Sequence, residues 1–204
     1  MIAALLCAVI PSFITALFAM VACSAARRHG LDAGFTQRGA LAGLLLSACA
    51  QAACMRTAGV LAGTALTLTL SACTVAAVTD VSTGYVFDRV TFPALAATLA
   101  CCAFEGSLVH ALLGIGVAAG ALAALYTLTM GRGLGLGDVK LAACIGAGLG
   151  ALDAALALGT AFVIGGAYGA YLLASRRALR GDAMRFAPYL AAGVALVSLV
   201  RYWR

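Results

Sequence analysis

Charge is what this sequence has least of. Only 10% of its 204 residues are charged, seven of them acids. A soluble globular domain carries roughly a quarter of charged residues, so that class is excluded and a membrane protein is indicated. Polar linkers and low-complexity segments are also missing, and nothing sets off a soluble domain from the rest. The basic segment that precedes the apolar core of a cleaved signal peptide is absent, because the first basic residues, Arg27 and Arg28, follow the first apolar run. That run is therefore expected to remain as a span. Cysteine is plentiful at eight residues, yet no CxxC pair occurs, which removes zinc-site spacing. The cysteines fall almost wholly in apolar runs and read as small packing residues, not as a disulfide framework. His29 and His110 are isolated, no serine sits in a nucleophile elbow, and neither GxGxxG nor GxxxxGK[ST] occurs. Neither a cofactor nor a metal is expected.

What the sequence has is apolar length. Runs 2–26, 39–55, 58–79, 106–131 and 154–175 contain no Asp, Glu, Lys or Arg, and roughly 20 apolar residues suffice to span a bilayer. Three shorter runs, 90–104, 141–152 and 186–200, can cross with the help of their flanks. The expected fold is all-α: one integral membrane domain over residues 1–204, with about eight transmembrane helices. Cations in short loops report orientation. With the N-terminus outside and every run crossing, the cytoplasmic ends hold Arg27, Arg28, Arg38, Arg89, Arg132, Lys140, Arg176, Arg177, Arg180 and Arg185, against Arg56, Arg201 and Arg204 outside. The net charge of +6 is thus explained by topology, and nucleic acid is not an expected partner. Small residues four apart, at Gly116/Gly120, Gly146/Gly150 and Gly165/Gly169, read as close helix packing in lipid.

Carboxylates are costly at membrane depth, so their positions carry information. Asp32 and Asp182 fall in basic loops, and Glu105 and Asp153 in short external turns. Asp80 and Asp138 stand apart. Asp80 follows the run 58–79, Asp138 precedes 141–152, and two crossings between them return the chain to the same cytoplasmic face. Two carboxylates in a partly dehydrated site cannot both ionise cheaply, and such a pair shares a proton. One can then act as general base on a water while its protonated partner polarises a carbonyl, which is peptide hydrolysis by an aspartic mechanism. The glycine-rich stretch 131–137 ahead of Asp138 would allow unusual backbone angles and the approach of an extended substrate strand. An interfacial acid after a flexible turn accounts for the same residues without catalysis.

The stretch "GLGLGDVKL", with Gly135, Gly137, Asp138 and Lys140, resembles the GxGD signature of type IV prepilin peptidases. "DVSTGYVFDRVTFP" at 80–93 resembles that family's first-aspartate segment, and "RFAPYLAAGV" at 185–194 its segment before the last helix. The three occur in order over about residues 75–200. The resemblance implies an inner-membrane aspartic endopeptidase of bacteria that removes short basic leaders from prepilins or pseudopilins at the cytoplasmic face. It makes Asp80 and Asp138 the catalytic pair, with Gly135, Gly137 and Lys140 shaping the site and Lys140 anchoring the motif at the interface. Phe87 replaces a usual proline, and Asp88 is a second acid near the first, read as lying well into the loop. The connection 27–38 holds no cysteine-bearing insertion, so a peptidase without the methyltransferase module is implied. A presenilin-like protease would need a Tyr before the first Asp, where Thr79 stands, and a PAL motif towards the C-terminus. The competing readings are a small proton- or cation-coupled transporter, whose acids would sit near the midplane, and an inactive assembly partner with the same fold.

Overall fold

The computed structural model describes residues 60–131, 133–176 and 184–203. The expected spans at 2–26 and 39–55 lie outside the described residues. Each of the other six apolar runs corresponds to one helix: α1 (Val60–Thr83), α2 (Asp88–Phe104), α3 (Leu108–Leu128), α4 (Leu136–Leu149), α5 (Ala151–Ala174) and α6 (Ala187–Trp203). No strand occurs among the described residues. Among the described residues, three helical stretches, Leu61–Val81, Leu108–Leu128 and Ala151–Ala174, are long and apolar enough to cross a membrane, while the apolar part of α6, Ala187–Arg201, is shorter.

These long helices differ in what surrounds them. In α1, 61% of the apolar stretch is buried within the protein, against 22% in α3 and in α5. α1 is therefore an interior helix, and α3 and α5 turn large apolar side chains such as Leu112, Leu113 and Val163 outward, as lipid-facing helices do. The helix at the centre is the shortest. α4 touches all five others, and its Leu141, Ala142, Cys144 and Ile145 are fully buried.

Small residues make that central position possible. A methyl group at Gly146 of α4 would overlap the Gly114 carbonyl of α3, and one at Gly114 would overlap the Gly146 carbonyl. The two backbones thus touch directly, and dispersion between them replaces the side-chain interdigitation of wider helix pairs. Gly165 likewise meets the Tyr189 and Phe186 rings, whereas Gly116 and Gly120 have no neighbour among the described residues. The four-residue spacing at Gly116/Gly120 is thus not a packing seam within the described residues, and the residue that matters on α3 is Gly114. Gly150 closes α4 with a positive φ of 78°; its role is the turn. Gly146→Ala is expected to lower the thermal unfolding temperature in detergent, at a cost of about 1–3 kcal/mol from overpacking, while Gly120→Ala leaves it unchanged.

The free cysteines Cys73, Cys102 and Cys144 are buried and Cys101 is half-buried, in keeping with their reading as packing residues. Chain reversals gather at two ends of the bundle. At one end lie the turn 84–87, residues 133–135 ahead of α4 and residues 184–186 ahead of α6. At the other, Glu105, Asp153 and Arg201 border a cavity of about 810 Å³, and Arg201 pairs with Asp153. Glu105 caps α2 and Asp153 opens α5, so both acids sit at helix termini.

Candidate active site

Asp80 lies in the last turn of α1 and Asp138 in the first turn of α4, each only 7% exposed. α1 ends one turn beyond Asp80 because Gly84 takes up a φ of 74° and its N–H bonds back to the Asp80 carbonyl at 2.8 Å; this left-handed geometry is cheap only for glycine. α4 begins at Gly135, which is extended, with φ −86° and ψ 150°. The Gly135 N–H donates to Asp138 Oδ2 at 3.2 Å, so the carboxylate caps its own helix and satisfies one of the end groups that a helix leaves unpaired.

The two acids lie within electrostatic reach of each other. Asp138 precedes the apolar run 141–152, and its acidity is strongly perturbed. Burial is the main cause, the negative charge of Asp80 adds to it, and the Gly135 hydrogen bond opposes it; the result is a carboxyl raised from 3.8 to about 6. Asp80 has different neighbours. The Ala187 backbone N–H meets its carboxyl, and the Arg185 guanidinium lies close enough to act on it. Arg185 itself donates to the Val81 carbonyl, in the same turn of α1. Asp80 Oδ2 is buried and has no hydrogen-bond partner among the described residues.

The remaining residues read from the sequence take up clear positions. Gly137 presses against the loop that follows Asp80: a Cβ there would lie 2.8 Å from Val86 Cβ. Its missing side chain therefore makes room for Val86. Neither Gly135 nor Gly137 has a positive φ, so the expected unusual backbone angles are not found there; Gly131, with φ 71°, is the one that has them. Lys140 turns to Asp88, with Nζ 2.7 and 2.8 Å from its two oxygens, and stands 5.4 Å from the centre of the Phe92 ring. Asp88 is the first residue of α2, which corrects its reading as a residue well into the loop; an acid suits the positive end of a helix. It faces Lys140 and makes no hydrogen bond to Asp80 or Asp138.

Three neighbours of the pair, Arg185, Ala187 and Val86, are not legible as site residues in the sequence. Arg185 and Ala187 fall inside the "RFAPYLAAGV" stretch, yet nothing in its composition connects them to an aspartate about a hundred residues earlier. Among the described residues, no three His, Cys, Asp or Glu side chains gather as a metal site.

A bundle with long apolar helices and two buried acids brought together where helix ends meet defines a class: a membrane protein with a carboxylate pair. The chain belongs to the type IV leader peptidase family, whose pattern matches residues 67–170. The match includes Asp80, Asp88, Gly135, Gly137, Asp138 and Lys140, and it makes the protein a leader-peptidase-like protease of the membrane. No curated protein and no solved structure matches the chain.

Proposed function

We propose that the protein is an aspartic endopeptidase that cleaves the short basic leader from prepilins or pseudopilins at the cytoplasmic face of a bacterial inner membrane, with Asp80 and Asp138 as its catalytic pair. The observation that carries this reading is the burial of both carboxyls at one end of the bundle, within electrostatic reach of each other. All eight apolar runs cross the bilayer in this proposal, and the ends rich in arginine face the cytoplasm.

The surroundings of the two acids support a division of labour. Asp138 is suited to hold a proton, since burial raises it to about 6. Its Oδ2 is occupied by the Gly135 N–H, which leaves Oδ1 to carry that proton towards a substrate carbonyl oxygen. Asp80, beside the Ala187 N–H and Arg185, is the base, and its unpartnered Oδ2 is the atom that takes a proton from water. The water oxygen then bonds to the peptide carbon as Asp138 protonates the carbonyl oxygen. Collapse breaks the C–N bond: Asp80 passes its proton to the leaving amine, and Asp138 recovers one from the gem-diol. Each acid ends in the state in which it began, and no metal or covalent intermediate enters the cycle. Gly135, Gly137 and Lys140 shape the site around this pair.

Coexpression with a candidate precursor tests the proposal. A size shift of the precursor is expected with the wild-type chain and none with Asp80→Asn or Asp138→Asn. Processing that persists in both variants would remove the aspartic mechanism.

A further inference from the structure

We infer that Asp88 and Lys140 form a clasp between α2 and α4 that holds Asp138 in register with Asp80, which makes both of them positioning residues. The inference rests on the peptidase reading and concerns two residues that touch neither reacting acid.

The clasp joins two short segments, each anchored on a catalytic carboxyl. Asp88 follows Asp80 across the turn 84–87, and Lys140 follows Asp138 by half a turn of α4. Lys140 Nζ takes both oxygens of Asp88, at 2.7 and 2.8 Å. Phe92, one turn along α2 from Asp88, has its ring centre 5.4 Å from the same ammonium, a distance at which a ring face attracts a cation. Between the two anchors, Val86 of the turn is wedged against Gly137. An ion pair, a ring contact and a backbone wedge thus fix the start of α4 against the loop leaving α1. Side chains of Lys140 and Asp88 are 36% and 54% exposed, and exposed ion pairs contribute little to stability. Loss of the pair should therefore act on geometry at the site more than on folding. A carboxylate at the protein surface could instead bind the basic leader directly, and the two roles separate in kinetics: a leader contact acts on KM, a positioning contact on kcat.

Lys140 is the only lysine in the chain, which provides a readout independent of cleavage. The test uses the full chain in lipid nanodiscs, a precursor peptide, and the variants Asp88→Asn, Lys140→Met, Lys140→Arg and the Asp88→Asn/Lys140→Met double. Each of the two charge-removing variants is expected to lose roughly 10- to 100-fold in kcat, the scale of a misplaced reacting group, with KM within about twofold of wild type. The double variant should lose no more than the worse single, because both remove one interaction. Lys140→Arg, which keeps the charge and can stack on Phe92, should stay within about threefold of wild type. Acylation of Lys140 by an N-hydroxysuccinimide ester, followed by peptide mass mapping, should run several-fold faster in Asp88→Asn than in wild type. Losses that multiply in the double variant, or a KM rise with kcat unchanged, would overturn the positioning role. Equal acylation rates would overturn the clasp itself. A wild-type chain that shows the acylation difference yet cleaves no precursor would overturn the peptidase reading, and the positioning role with it.

Discussion

Asp80→Asn and Asp138→Asn are each expected to lower kcat for precursor cleavage by about 10³-fold or more, with precursor binding nearly unchanged. Asparagine keeps the shape of the side chain and, at residue 138, an oxygen for the Gly135 N–H. What it removes is the ability to take or give a proton. A loss of that size corresponds to roughly 4 kcal/mol of barrier, much more than repacking around an isosteric side chain would produce. The two losses should not multiply if, as proposed, each acid works only with the other; the double variant is expected to resemble the singles. Single-turnover cleavage with a labelled precursor, alongside a binding measurement on the same preparations, checks both statements. A residual rate within tenfold of wild type in either variant would contradict the assignment.

The same substitution at residue 138 should stabilise the protein. Asp138 is buried, and its carboxyl is raised from 3.8 to about 6. The folded chain therefore holds that proton more tightly than the unfolded chain does. Its contribution to stability is fully present below the ordinary carboxylate value and is lost as pH rises through about 6. A carboxyl raised that far corresponds to at most about 3 kcal/mol. The asparagine variant avoids this cost, because its side chain has no charge to desolvate. Thermal unfolding in detergent should show Asp138→Asn several degrees above wild type at pH 7.5, with the difference shrinking towards pH 4. A variant less stable than wild type at pH 7.5 would show that the carboxylate is better accommodated than its burial implies. Loss of activity together with gain of stability would also rule out misfolding as the reason for the inactive variant.

Much of the helical architecture is legible in the sequence because a bilayer imposes length. Runs of apolar residues between sparse charges correspond one to one with α1 to α6 in the described residues. Their ranking is not legible. The run 141–152 looks marginal as a span, yet it belongs to the central helix, because centrality comes from small residues at its contacts and not from length. Glycine spacing misleads in a related way. Gly116 and Gly120 fit a local pattern and touch nothing among the described residues, whereas Gly114 and Gly146 lie 32 residues apart and bring two backbones into contact. Local periodicity records which residues share a helix face, not which face meets a neighbour.

The site shows a similar division. Counting helices is enough to bring Asp80 and Asp138 to one end, since two helices, α2 and α3, separate them. The partners that distinguish them are beyond its reach. Arg185 and Ala187 meet Asp80 from α6 and the segment before it, and the Lys140–Asp88 pair joins positions 52 residues apart. A reading by polarity puts Asp88 in the loop because the turn 84–87 is shorter than the polar stretch around it; the helix resumes within that stretch. Glycines before Asp138 suggest substrate access, whereas Gly137 is needed by Val86.

That Asp80 and Asp138 act as one proton-sharing unit is tested most directly by the pH dependence of kcat/KM for precursor cleavage between about pH 4.5 and 8.5. A pair that must retain one proton should give a bell-shaped profile, with an alkaline limb falling from about pH 6 or somewhat above, where Asp138 loses its proton. A rate that climbs to a plateau and stays there to the alkaline end of that range would mean that no protonated carboxyl is needed, and would contradict the pair.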